Sequence, residues 1–117
     1  MSEKGLTPRV RGFIEWQLEH YHEERRQLTA WQAARGNLPP EHTTPYMAQT
    51  IRVCDAIRRV LDHHDGTDRR LIRLLYWDRS HNVTGAGLEV GLSKSQAYNR
   101  VNRMLKEIAQ ELGYVCL

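Results

Sequence analysis

Amide, hydroxyl and basic side chains are frequent in the thirteen residues 94–106 near the C-terminus, and no acidic residue interrupts them. Asn and Gln amides can form paired hydrogen bonds with adenine, Arg guanidinium groups can do so with guanine, and Lys and Arg neutralise phosphate. We therefore expect contact with double-stranded DNA, in which Gln96, Asn99 and Arg100 touch base edges while Arg103 and Lys106 hold phosphate. The full predicted set is Lys94, Ser95, Gln96, Asn99, Arg100, Arg103 and Lys106.

A long helix is predicted to carry these side chains. Ser93 is a suitable N-cap, apolar residues recur at helical spacing as far as Leu112, and Gly113 ends the pattern. Lys94 and Ser95 fall near the helix N-terminus, where unpaired amide groups and the helix dipole attract phosphate. Acidic residues return only after residue 106. This charge distribution is typical of a recognition helix whose C-terminal part leaves the DNA groove.

The segment before this helix supplies the other parts of a helix-turn-helix. Asn82 can cap a short helix, Val83 to Val90, and Gly91 provides the positive φ that the following turn needs. Gly87 is the small residue that two steeply crossing helices require at their contact, and Ala97 is expected to face it from the second helix. A short helix, a glycine turn and a capped longer helix together predict a helix-turn-helix.

Two more helices are predicted upstream of the motif. Thr44 and Pro45 can open the first, whose apolar residues follow helical spacing until the polar run at 63–66. Thr67 can cap the second, from Asp68 to about Trp77, which is dense enough in Leu and Ile to be a core element.

The N-terminal third predicts one long helix. Thr7 can cap it, Pro8 suits its first position, and it could run to about Ala34 before a stop at Gly36. Its apolar stripe is narrow, so it needs one partner surface: the C-terminal domain, a second copy of the chain, or a larger protein. Residues 38–45 hold three of the four prolines and are predicted to form a linker.

No window alternates apolar and polar residues over more than a few positions, so the predicted fold class is all-α. The predicted organisation is an N-terminal helical element (1–37), a Pro-rich linker (38–45) and a helix-turn-helix DNA-binding domain (46–117).

The net charge is only +3, which makes the local basic stretch more informative than the total charge. The two cysteines suggest no disulfide framework, and the sequence shows neither a signal-peptide pattern nor an apolar run of about 20 residues. We expect a cytoplasmic protein with no membrane partner.

Six histidines and two cysteines raise the alternative of a metal-binding protein or an enzyme. His20 and His22 point to different sides of a helix, because positions two apart do not share a face. His63 and His64 lie at a predicted helix end, where His commonly interacts with carbonyl groups. Neither a C-x-x-C nor an H-E-x-x-H spacing occurs. We therefore predict no catalysis, no metal site and no cofactor.

From about Asp55 to Gly113 the chain resembles region 4 of the sigma factors. Leu71–Tyr76 matches the apolar helix end before the region-4 motif, and Ala86–Ser93 matches its turn. The run Leu92–Arg100 is similar to the "L-S-x-S-T-V-Y-R-R" pattern of small phage proteins, namely the ArpU/RinA-type late-gene regulators and the antitermination protein Q families. Gly85 stands where region 4 usually has Glu, and the residues before the module are expected to be too few for the other sigma-factor parts.

The resemblance implies a phage late-gene regulator that acts on bacterial RNA polymerase in the host cytoplasm, either as an antiterminator or as an activator. The N-terminal helix would be the natural contact with the polymerase, and a homodimer is an open alternative. A phage DNA-packaging adaptor, similar to a terminase small subunit, is the second interpretation, because such proteins also combine a helix-turn-helix with an oligomerising helix.

Overall fold

A computed structural model of the protein describes residues 6–36 and 43–114, and within these ranges the chain is helical and contains no strand. The all-α prediction is confirmed. In chain order, the helices are α1 (Pro8–Glu19), α2 (Tyr21–Arg35), α3 (Pro45–Asp62), α4 (Gly66–Ile72), a π-helix (Arg73–Trp77), α5 (Val83–Glu89) and α6 (Lys94–Glu111).

The N-terminal helix begins as predicted, with the Thr7 hydroxyl accepting a hydrogen bond from the Val10 amide. The prediction of one helix as far as Ala34 is wrong, because the chain bends at His20, where φ is −101° and ψ is 6°. The Trp77 indole donates to the Leu18 carbonyl oxygen over 3.0 Å, so a side chain from a distant helix holds the end of α1. The bend turns the buried residues of both α1 and α2 towards the interior.

α3 begins where the sequence predicts. Pro45 occupies its first turn, and the Thr44 hydroxyl accepts a hydrogen bond from the Met47 amide over 3.2 Å. α3 packs against α2 on one side and α6 on another. Residues 38–42 of the predicted linker lie outside the described residues.

The next helix differs from the prediction at both ends. Asp65, not Thr67, is the N-cap of α4, and its carboxylate accepts a hydrogen bond from the Asp68 amide over 2.9 Å. At the other end α4 continues into the π-helix, in which the Asp78 amide donates to the Arg73 carbonyl oxygen five residues earlier. This wider turn lets two consecutive aromatic residues reach the first helices. The Tyr76 hydroxyl lies 2.8 Å from a Glu15 carboxylate oxygen, and Trp77 binds the end of α1.

One hydrophobic core joins the N-terminal helices to the rest of the described chain. Ile14 and Leu18 of α1 are fully buried in the same cluster as Leu71, Met104 and Leu105. α1 packs on α6 and on the π-helix, while α2 packs on α3. Of the three partner surfaces considered for the N-terminal stripe, the C-terminal part of the same chain is therefore the one that covers it. No helix in the described ranges is both long and apolar enough to cross a bilayer.

Candidate nucleic-acid interface

Both helices of the predicted motif begin at the predicted caps. The Asn82 side-chain oxygen accepts a hydrogen bond from the Gly85 amide over 2.8 Å at the start of α5. At the start of α6, the Ser93 hydroxyl accepts from the Gln96 amide over 3.2 Å, and the Gln96 side-chain oxygen accepts from the Ser93 amide over 2.9 Å. This reciprocal capping box restrains the Gln96 side chain, which the sequence predicts to contact a base edge.

The crossing of α5 and α6 depends on two glycines, as the sequence predicts. A Cβ atom built on Gly87 would lie 2.6 Å from the Ala97 Cβ, a separation that real Cβ atoms do not reach. Gly91 adopts a φ of +80° in the turn, a conformation that favours glycine. The Leu92 amide then donates to the Gly87 carbonyl oxygen over 2.8 Å, which closes the turn.

α6 buries one side and exposes the other. Its buried residues include Ala97, Val101 and Met104, and the helical repeat therefore puts Asn99 and Arg103 on the opposite side. Five of the seven predicted DNA contacts are exposed, and these are Lys94, Ser95, Gln96, Asn99 and Arg103. We call the surface formed by Ser95, Gln96, Asn99, Arg103 and Lys106 the outer face of α6.

Arg100 lies at the edge of this outer face and interacts with the protein itself. Its Nη1 atom lies 3.0 Å from an Asp68 carboxylate oxygen and 3.5 Å from an Asp65 oxygen, and 36% of its side chain is exposed. Asp68 is a buried acid. Arg100 therefore joins α6 to the first turn of α4, and a contact with a guanine would require it to leave these carboxylates.

His64 is a second polar link between the same elements. Its Nδ1 atom lies 2.7 Å from Asp68 Oδ2 and its Nε2 atom 2.6 Å from Glu107 Oε1, while only 9% of the side chain is exposed. Burial lowers the pKa of His64, but the hydrogen bonds and charges of Asp68 and Glu107 outweigh burial and raise the pKa above its ordinary value. The sequence predicts only a helix-end position for His64, because no neighbouring residue signals a partner 43 residues away.

α1 contributes a basic residue that the sequence interpretation missed. The Arg11 guanidinium donates to the Asn102 side-chain oxygen over 2.7 Å. Arg11 lines a groove of about 930 Å³ between α1 and α6, together with Asn99, Arg103 and Lys106. Arg11 therefore extends the set of basic side chains from α6 onto α1, in a groove that also contains Glu107, and Arg11 Nε lies 3.8 Å from a Glu15 carboxylate oxygen. Arg11 gave no signal in the sequence because the pattern of one helix does not show which other helix it faces.

No group of three His, Cys, Asp or Glu side chains in residues 6–36 and 43–114 is arranged to hold a metal ion. The chain matches no known family model, no curated protein and no solved structure.

Proposed function

We propose that the protein is a sequence-specific DNA-binding transcription regulator and that α6 enters the major groove. The observation that carries this proposal is the close crossing of α5 and α6, which leaves an exposed face free of acids from Lys94 to Lys106. An α-helix fits the major groove of B-DNA, and amide and guanidinium side chains at its N-terminal end reach the base edges there.

The geometry favours a division of roles along the outer face. Asn99 is exposed one turn after Gln96, and both amides belong to the half of α6 nearest the turn. Arg103 and Lys106 lie one and two turns farther along, where a helix leaving the groove passes the phosphates. Lys94 and Ser95 lie beside the helix N-terminus, which itself favours phosphate.

The regulatory step is proposed from the family resemblance. A late-gene regulator of the phage type would use its DNA site to reach bacterial RNA polymerase, and α2 offers a surface that the proposed DNA contact does not use. In this proposal the protein acts either on initiation or on termination, and double-stranded DNA and the polymerase are its two partners.

Selection of binding sites from a random double-stranded DNA pool, with the full chain, tests DNA recognition. Asn99→Ala should cost about 1–3 kcal/mol of binding free energy on the selected site and relax the preference at one base pair. Arg103→Ala should weaken binding to all sequences and reduce the slope of log affinity against log salt by about 1.

Arg58→Ala is the matched control, because Arg58 lies on α3 and pairs with Asp55 and Asp62 of the same helix. It should leave affinity and salt slope unchanged. If the selected sequences share no common motif, the proposed sequence specificity is wrong. An Asn99→Ala/Arg103→Ala variant with unaltered affinity and salt slope would remove α6 as the interface.

Transcription in vitro from a promoter that carries the selected site, with a terminator downstream, separates the two regulatory modes. Read-through that persists after initiation indicates antitermination, whereas a change confined to initiation indicates activation. No effect on either step with DNA binding intact would remove the polymerase from the proposal.

A further inference from the structure

A second groove, of about 860 Å³, lies between α2, the end of α3 and the π-helix. No residue of α6 lines it, so it is separate from the outer face of α6. Its rim carries four arginines: Arg25, Arg26, Arg58 and Arg69. Its walls are aromatic and aliphatic, with contributions from Tyr21, Leu61 and Trp77.

The charge of this groove is poorly compensated. Asp62 is the one acidic residue among those that line it, and it pairs with Arg58 at 3.7 Å, while Asp55 lies 3.9 Å from Arg58 outside the lining. Arg69 donates to backbone carbonyl groups of Leu61 and His64, which does not neutralise its charge. Arg25 donates to the Tyr21 hydroxyl over 3.0 Å, and Arg26 forms no ion pair with a carboxylate among the described residues.

The groove also contains a histidine whose pKa is lowered by burial and by this positive charge. His22 is an exposed residue, but its ring lies 4.3 Å from the Trp77 ring, measured between centroids. Partial burial lowers the pKa of His22, and the neighbouring Arg26 and Arg25 lower it further. The lowered pKa favours the neutral ring, so the positive charge of the groove comes from the arginines.

The walls favour a peptide over a nucleic acid. Tyr21 and Trp77 stack on each other with centroids 5.9 Å apart and ring planes 15° from parallel, and Tyr21 is buried. Each ring therefore has one face covered by the other, and His22 and Arg25 also lie against these rings, whereas binding of single-stranded nucleic acid needs aromatic faces open to bases. An apolar wall with a guanidinium rim suits a segment that presents both apolar side chains and carboxylates, since Arg binds carboxylates bidentately.

We infer that this groove binds an acidic segment of a partner protein, in which Asp or Glu residues alternate with large apolar ones. The apolar side chains lie against Leu61, Thr29 and Ala30, and the carboxylates pair with Arg25 and Arg26. The inference does not depend on DNA binding, because the two surfaces share no residue.

Selection from a random dodecapeptide library displayed on phage, with the full chain as target, is the test. Enriched peptides should carry an excess of Asp and Glu together with Leu, Phe or Trp. The best peptide, made synthetically, should lose at least tenfold in affinity for Arg26→Glu and should lose less for Arg26→Lys, which keeps the charge but not the bidentate geometry. The same peptide with its acids replaced by Asn and Gln should bind at least tenfold more weakly.

Arg103→Glu is the matched charge reversal on the other surface. It should weaken DNA binding more than Arg103→Ala does and leave peptide binding intact, while Arg26→Glu should weaken peptide binding and leave DNA binding intact. Helix content and melting temperature are recorded for both variants. Peptides without an acidic excess, or with affinity unchanged by Arg26→Glu, would overturn the inference. A loss of DNA affinity and salt slope in Arg26→Glu would assign the groove to nucleic acid. Conversion of a dimer to a monomer by the same variant would assign the groove to a second copy of the chain. Either result would also overturn the inference.

Discussion

Gly87 and Ala97 are in direct contact, and the space between them cannot hold one more methyl group. Gly87→Ala should therefore lower the free energy of unfolding, because overpacking typically costs about 1–3 kcal/mol and exceeds the roughly 1 kcal/mol that Ala gains over Gly in a helix. Urea denaturation measures the change.

Gly12→Ala is the matched control for that substitution, because a Cβ at Gly12 meets nothing within 4 Å and the residue lies inside α1. It should stabilise the protein by roughly 0.5–1 kcal/mol. The exchange Gly87→Ala with Ala97→Gly should recover part of the lost stability. If Gly87→Ala stabilises the protein as much as Gly12→Ala does, the two helices do not cross at this contact.

We expect Arg100 to contribute to the stability of the fold and only indirectly to DNA binding. Arg100→Ala should lower the urea midpoint, because it removes one of the two side chains that pair with the buried Asp68 carboxylate and leaves Asp68 with His64 alone. DNA affinity should then fall to a similar extent for all sequences, since the orientation of α6 is disturbed. Arg100→Ala and Asp68→Asn should be non-additive in stability. Unchanged stability together with a relaxed preference at one base pair would instead give Arg100 a role in base recognition.

His64 should make stability depend on pH. The folded protein holds its pKa above the ordinary 6.5, so protonation favours the folded state. The stabilisation is fully present below the unfolded pKa and is lost as pH rises through the folded value. Urea denaturation between pH 6 and 8.5 should therefore show stability falling with rising pH.

The His64→Gln variant should flatten this dependence, and an NMR titration of the His64 ring should give the raised pKa directly. The neighbouring His63 is exposed, and His63→Gln should keep the dependence intact. A flat profile in the unsubstituted protein would mean that the Asp68 and Glu107 contacts do not favour the charged ring.

Arg11 should behave as a phosphate contact outside the helix-turn-helix. Arg11→Gln removes the charge but retains a donor for the Asn102 side chain, so the fold should be preserved. Binding should weaken for all sequences, and the salt slope should fall by about 1. Arg58→Gln serves as the control on α3 and should leave the salt slope unchanged. Equal salt slopes in both variants would confine the DNA interface to α6.

The Trp77 indole should hold the junction between α1 and α2. Trp77→Phe keeps an aromatic ring but leaves the Leu18 carbonyl without its donor, a loss of about 1–2 kcal/mol of stability when the acceptor is buried. Amide hydrogen exchange at residues 18–22 should accelerate. Trp31→Phe is the control, because Trp31 is only half-buried and its ring lies near Arg35. Similar exchange rates in both variants would show that the bend at His20 does not need the indole.

The sequence predicted well those features that depend on neighbouring residues. The caps at Asn82 and Ser93, the positive φ at Gly91 and the start of α3 each follow from a residue type acting within a few positions. The contact of Gly87 with Ala97 spans only ten residues and belongs to a known spacing, so it was also predictable.

The features that escaped prediction depend on distant residues. Next to the bend at His20, the Leu18 carbonyl accepts a hydrogen bond from an indole 59 positions later, and the residues around His20 give no sign of that partner. Thr67 and Asp65 are both acceptable caps, and the structure uses the earlier one. Arg100 has the side chain of a base contact, but its position on α6 and the acids of α4 draw it towards the protein.

The π-helix also makes chain length a constraint in this part of the fold. Each residue of an α-helix advances the side-chain direction by about 100°, so removing one residue between Arg73 and Trp77 would rotate the aromatic pair relative to α1. Tyr76 and Trp77 could then no longer reach Glu15 and Leu18 together. Related chains that keep this architecture should therefore tolerate substitutions between residues 73 and 77 more readily than insertions or deletions.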